Sequence, residues 1–180
     1  MKNSKVKKKR LLNSAQVRAI FERFSREMAR QYGSLDQVVF IGVRTRGPFV
    51  AKRLAEIIKK RHGKEIPIGE MDITLYRDDL NALLPGGTID HTRIPFDIAN
   101  KIVVLFDDVL NTGRTVRAAV DHLIDLGRPR MIHLAVMVDR GGRELPIAAN
   151  YVGKKINLNA GGHVEVRLKE VDKVDEVLVG

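Results

Sequence analysis

Two adjacent carboxylates, Asp107 and Asp108, stand at the end of an apolar run, Ile102-Val103-Val104-Leu105-Phe106. Val109, Leu110, Asn111, Thr112, Gly113, Arg114 and Thr115 follow, and then a helical pattern begins. Thr112, Gly113 and Thr115 can offer backbone N–H groups and hydroxyls to a phosphate at a helix N-terminus. The carboxylates repel that phosphate, so they suit sugar hydroxyls or a cation. The stretch therefore predicts a cradle for a sugar phosphate.

Positioning such a cradle needs a sheet. Ile102 to Phe106 is apolar on both faces, as expected of a central strand in a covered parallel sheet, with the acidic pair at its carboxyl end. Val38 to Ile41 forms a second short apolar run. Gly42-Val43-Arg44-Thr45-Arg46-Gly47 follows it, with Pro48 placed for a first helical turn. Met131 to Val138 is a third run, leading into Asp139-Arg140-Gly141-Gly142-Arg143. Strands that alternate with helices build a parallel α/β sheet, whose right-handed crossovers collect these three charged loops along one edge.

The helices are marked by spacing. Asn13 and Gln16 give a capping signal. Val17, Ile20, Phe21, Phe24 and Met28 then predict a helix over 14–31 that ends at Gly33. Val50, Leu54, Ile57 and Ile58 predict a second, closed by Gly63. Val116, Ala119, Val120, Leu123 and Ile124 predict a third, closed by Gly127 and Pro129. Ile66 to Tyr76 reads as extended. Arg77-Asp78-Asp79 then opens a long polar connection through Pro85-Gly86-Gly87 to Phe96. That is the length of a lid, a binding loop or a hairpin with a mobile tip. Tyr151 to Gly153 reads as a short strand, and the end of the chain as a hairpin around Asp172-Lys173.

Bulk properties narrow the class. A chain of 180 residues with 44% hydrophobic content suits one domain with a full core. The absence of cysteine excludes disulfides, thiolate chemistry and Cys-based zinc sites, and fits a reducing compartment. No apolar run is long enough to span a bilayer, so the expected location is cytoplasmic, with no membrane partner. The net charge of +10 invites a nucleic-acid reading, but Lys2, Lys5, Lys7, Lys8, Lys9 and Arg10 supply six of those charges and leave +4 for the rest. Residues 1–12 are accordingly expected as a solvated, disordered basic tail and 13–180 as a single domain. His62, His91, His122, His133 and His163 show no metal-ligand spacing and read as structural or exposed.

The Asp-Asp-x-x-x-Thr-Gly-x-Thr pattern resembles the phosphoribosyl-pyrophosphate (PRPP) motif of type I phosphoribosyltransferases. Ile41 to Gly47, Asp72 to Leu80 and Val138 to Ile147 are similar to the PyrR family, pyrimidine operon regulators that are also uracil phosphoribosyltransferases. The likeness runs from Gln16 to Val152 in one order. It implies a type I phosphoribosyltransferase fold: a mostly parallel twisted sheet flanked by helices, a long hairpin or flexible loop, and a small hood. It also implies Mg2+ and transfer of phosphoribosyl from PRPP to uracil, giving UMP and pyrophosphate.

By that resemblance Thr112, Gly113 and Thr115, with amides from Leu110 to Arg114, hold the 5′-phosphate. Asp107 and Asp108 hold the ribose hydroxyls, directly or through Mg2+. Arg44, Thr45, Arg46 and Gly47 grip the pyrophosphate, Arg77 closes over it, and Val138, Asp139 and Arg140 surround the base. A homodimer or tetramer is implied. Regulation by leader RNA is implied less completely. Regulating members carry Thr and His where this chain has Glu22 and Arg26, His where it has Gly142, and a second Arg where it has Ala148. Arg26 and Arg143 remain RNA-contact candidates. The alternatives are an RNA-binding regulator with residual catalysis, or a phosphoribosyltransferase for another base.

Overall fold

A computed structural model describes residues 8–73, 91–158 and 162–180. The expected alternation is present. Helix α1 (Ser14–Tyr32) opens on a full capping box: Gln16 N donates to Asn13 Oδ1 at 3.0 Å, and Asn13 N donates to Gln16 Oε1 at 2.9 Å. Its stripe of Val17, Ile20, Phe21, Phe24 and Met28 is buried, and Gly33 closes it at φ 65°. Strand β2 (Val38–Val43) is buried throughout and feeds α2 (Gly47–His62), with Pro48 in its first turn and Gly63 capping it in the left-handed region. Next come β3 (Ile68–Met71), β4 (Ile102–Leu110), α3 (Arg114–Leu126), β5 (Met131–Asp139) and β6 (Tyr151–Lys155).

These five strands form one sheet in the order β3-β2-β4-β5-β6, and each pairing is parallel. Alternate side chains sort into two cores. Phe40, Val104 and Phe106 face α1 and α2, with the Phe40 and Phe106 rings 4.7 Å apart. Val39, Ile41, Val103 and Leu105 face α3. Burial on both faces is why the central strands read as unbroken apolar runs.

A second sheet supplies the expected hood. β7 (Val164–Arg167) and β8 (Glu176–Val179) pair antiparallel around the short helix α4 (Lys169–Asp172). The third strand is β1 (Lys9–Leu12), with Lys9 opposite Val179 and Arg10 opposite Leu178. The expected tail boundary at residue 12 is therefore corrected: Lys9–Leu12 is folded. Leu12 is buried, while Lys8 pairs with Glu165 and Arg10 with Glu176. Two of the charges that suggested a solvated tail, Lys8 and Arg10, are thus paired with strands that lie far away in sequence.

The connection after β3 is described at its base only. Glu70 N donates to Arg93 O at 2.9 Å and Arg93 N to Glu70 O at 2.7 Å, so the returning limb pairs antiparallel with β3. Arg77, Asp78 and Asp79 lie outside the described residues.

Candidate active site

The loops that follow β2, β4 and β5 leave the same edge of the sheet, as parallel strands with right-handed crossovers require. The first is wedged against β4. A Cβ on Gly42 would stand 2.2 Å from Pro48 N, and one on Gly47 would stand 2.3 Å from Phe106 O. Only glycine permits both approaches. Between them the Arg44–Thr45 peptide bond is cis, Arg44 and Thr45 are exposed, and Arg46 is half-buried.

The second loop is shorter than expected. Strand β4 runs through Leu110, so Asp107 and Asp108 sit within its last turn of pleat rather than after it. Pairing continues because Val109 and Leu110 still match Val138 and Asp139 of β5. Asp107 is 8% exposed, and its Oδ1 accepts from Asp108 N at 2.8 Å. Burial raises its pKa well above the usual carboxylate value, and the neighbouring Asp108 charge adds to the rise. Gly113, at φ 95°, is the N-cap of α3 and has no side chain to cap it; Arg114 N in the first turn donates to Thr112 Oγ1 at 3.3 Å.

The third loop folds over the second. Glu144 N and Leu145 N donate to Thr112 O at 3.0 and 3.2 Å, and Arg140 N donates to Leu110 O at 3.0 Å. Arg143 ties them together. Its Nη1 donates to Asn111 O at 2.5 Å, its Nε to Ile147 O at 2.9 Å, and its Nη2 to Asp139 Oδ1 at 2.5 Å. Glu144 pairs with Arg114 at 2.7 Å. With its side chain 23% exposed and its donors committed, Arg143 is an internal strut in this structure.

A polar cavity of about 520 Å³ lies at this edge. Arg44, Thr45, Arg46, Asp107, Asp108, Val109 and Thr115 line it, together with Asp72, Ile73 and His91. The arginine loop, the acidic pair and the start of α3 thus share one space. Leu110, Asn111, Thr112, Gly113 and Arg114, also expected in the cradle, join Val109 to Thr115 in sequence but do not line it. Val138 is buried in β5 and leaves only its main chain for a ligand, and Asp139 is held by Arg143 and by Gly141 N. By sequence, Asp72 stands only in a family-like stretch and His91 among structural or exposed histidines, and the cavity makes both site residues. The signal for Asp72 is its place after β3, whose carboxyl end joins the same edge. For His91 it is the return of the long connection to that strand.

The phosphoribosyl transferase domain profile matches residues 8–170. The chain belongs to the phosphoribosyl transferase family. Within it, the bifunctional protein PyrR of Chloroflexus aurantiacus is 48% identical, covering 95% of this chain and 94% of its own. That of Bacillus cereus (strain AH820) is 50% identical, covering 94% and 95%. The PyrR subfamily is thereby shown. Among solved structures, a hypoxanthine phosphoribosyltransferase of Trypanosoma cruzi superposes with a TM-score of 0.73 at 16% identity, covering 95% of each chain. One from Staphylococcus aureus gives 0.68 at 21%, covering 94% and 90%. These establish the type I fold. Among the described residues, no helix is long and apolar enough to cross a membrane.

Proposed function

We propose that this phosphoribosyltransferase acts on uracil, converting PRPP and uracil to UMP and pyrophosphate. The observation that carries the reading is the single cavity in which Arg44, Thr45 and Arg46 face Asp107, Asp108 and Thr115. In the reaction a bond forms between the base nitrogen and the anomeric carbon. The bond from that carbon to pyrophosphate breaks with its electron pair leaving on oxygen, and the base nitrogen loses its proton. Positive charge builds on the sugar and negative charge on the leaving group. Arg44, Arg46 and the loop amides up to Gly47 meet the pyrophosphate, and the start of α3 at Thr112, Gly113 and Thr115 meets the 5′-phosphate. Asp107 and Asp108 meet the ribose hydroxyls and favour the cationic sugar. Preorganised groups of this kind commonly provide the largest catalytic term. The loop from Val138 to Arg140 borders the base.

Mg2+ fits the donor set. Asp72, Asp107 and Asp108 offer the hard oxygens it prefers. Among the described residues no group of three or more His, Cys, Asp or Glu side chains is placed to hold a metal alone. That suits an ion carried in on substrate phosphates with one or two carboxylates completing its shell. When bound, the ion screens the pyrophosphate charge.

The relatives' description as bifunctional supports a second role, UMP-dependent binding of a pyrimidine-operon leader RNA in the cytoplasm by a homodimer or tetramer. Arg26 is exposed on α1 and free to meet phosphate, and Glu22 is neutralised by Arg61. Arg143 is engaged internally, which argues against it as a direct contact.

The test is release of pyrophosphate from PRPP with Mg2+ and, in turn, uracil, hypoxanthine and orotate. Turnover with uracil supports the assignment. Turnover with another base and none with uracil overturns it. For the second role, binding to the leader should rise with UMP and fall with salt, and equal affinity for unrelated RNA overturns it.

A further inference from the structure

Arg46 meets the cavity on one side and the C-terminal hairpin on the other. Its Nη2 donates to Asp172 Oδ1 at 3.1 Å, and the two side chains are 28% and 20% exposed. Arg46 Nε is buried and, among the described residues, has no hydrogen-bond partner. Asp172 is itself fixed, because its Oδ2 accepts from Leu168 N at 3.0 Å. The turn carrying Asp172 is bolted to α2. Arg53 Nε donates to Glu170 Oε1 at 2.9 Å, Arg53 Nη2 lies 2.8 Å from Asp175 Oδ1, and Asp175 Oδ1 accepts from Lys169 N at 2.9 Å. Arg46 lines the cavity and Asp172 does not.

We infer that Asp172 is a positioning residue for pyrophosphate recognition, orienting the Arg46 guanidinium from behind. The inference rests on the pyrophosphate role proposed for the arginine loop. A guanidinium is a rigid fork of five donors. One arm spent on Asp172 fixes the plane of the fork and leaves its other donors for the anion. Ordering the side chain before the ligand arrives removes that cost from binding. A carboxylate inside the cavity would instead compete with pyrophosphate for Arg46. Placed outside, Asp172 leaves the cavity face of the fork available. The hood thereby becomes part of the grip on the substrate, through an element that contributes no cavity-lining side chain of its own.

The experiment is calorimetric binding of magnesium pyrophosphate to the full chain, joined to steady-state kinetics with PRPP and uracil. Asp172→Asn removes the charge and leaves one acceptor oxygen for two donors, Arg46 Nη2 and Leu168 N, so it should raise the pyrophosphate Kd and the KM for PRPP about tenfold. The KM for uracil, and kcat at saturating PRPP, should change less than twofold. Asp172→Glu should recover part of the loss. Glu170→Gln, which removes another ion pair from the same turn, should leave pyrophosphate binding within twofold.

Equal or tighter binding by the Asp172→Asn protein overturns the inference. So does an equal loss in the Glu170→Gln protein, which would mark the turn as merely structural. If the unsubstituted protein binds no pyrophosphate, the role of the arginine loop falls and this inference falls with it. If it binds pyrophosphate but turns over no uracil, only the base assignment fails.

Discussion

Asp107 is a carboxyl group held where a charge is costly. Burial and Asp108 both raise its pKa, so the folded protein takes up a proton there more readily than the unfolded chain does. The sign follows. Its contribution to stability is fully present below the ordinary carboxylate value of about 3.9 and is lost as pH rises through the raised folded value. Above that raised value the ionised group is destabilising, and its chemistry is the reason to keep it. Asp107→Asn preserves the acceptor for Asp108 N and removes the charge. Thermal melts should therefore show the variant more stable than the parent at pH 7, with the gap closing in acid, while turnover falls about a hundredfold or more. A variant less stable at pH 7 would show that the Asp107 charge is compensated. The acidic pair was legible because two adjacent carboxylates ending an apolar run have few other uses. The strut formed by Arg143 was not, because Asn111 lies 32 positions away and offers a main-chain carbonyl that no side-chain pattern reveals.

At the scale of elements, most of the design was legible. Apolar spacing places α1 to within a residue and the ends of α2 and α3 at Gly63 and Gly127, because each helix buries one stripe against one face of the sheet. Strand ends were harder to see. β4 carries its pairing through Asp107 and Asp108, since a ladder with β5 outweighs the local polarity of two acids. The Asn13 and Gln16 box can be tested alone, as it stands on an exposed turn away from the cavity. Asn13→Ala should cost about 1 kcal/mol. For a domain of this size that lowers the melting temperature by about 2–4 °C, and kcat/KM should be unchanged. A loss of activity at full stability would place the start of α1 in the site after all.

On the whole-molecule scale, the fold is one parallel sheet with its chemistry on one edge and a small antiparallel sheet set against that edge. The hood is held by cross-strand charge. Lys8 and Arg167 meet Glu165, while Arg10 and Arg167 meet Glu176. Lys8 first and Arg167 second lower the Glu165 pKa to about 2. Its contribution is present above its ordinary value of 4.5 and lost as pH falls toward about 2. The protection of the Lys9–Leu12 amides, relative to their intrinsic exchange rate at each pH, should therefore fall through that window ahead of the five-stranded sheet, and simultaneous loss of protection in both would overturn the assignment. This pairing was hidden in the sequence because Lys8 and Arg10 sit in a run of cations that looks solvated until Glu165 and Glu176 arrive from the far end of the chain. The turn that carries Asp172 has one further consequence. Val171 is 44% exposed beside it, and the chain contains no cysteine. Val171→Cys would therefore create a unique thiol for an environment-sensitive dye. The hood can then serve as an optical handle, reporting in real time when the Arg46 side of the cavity fills and empties.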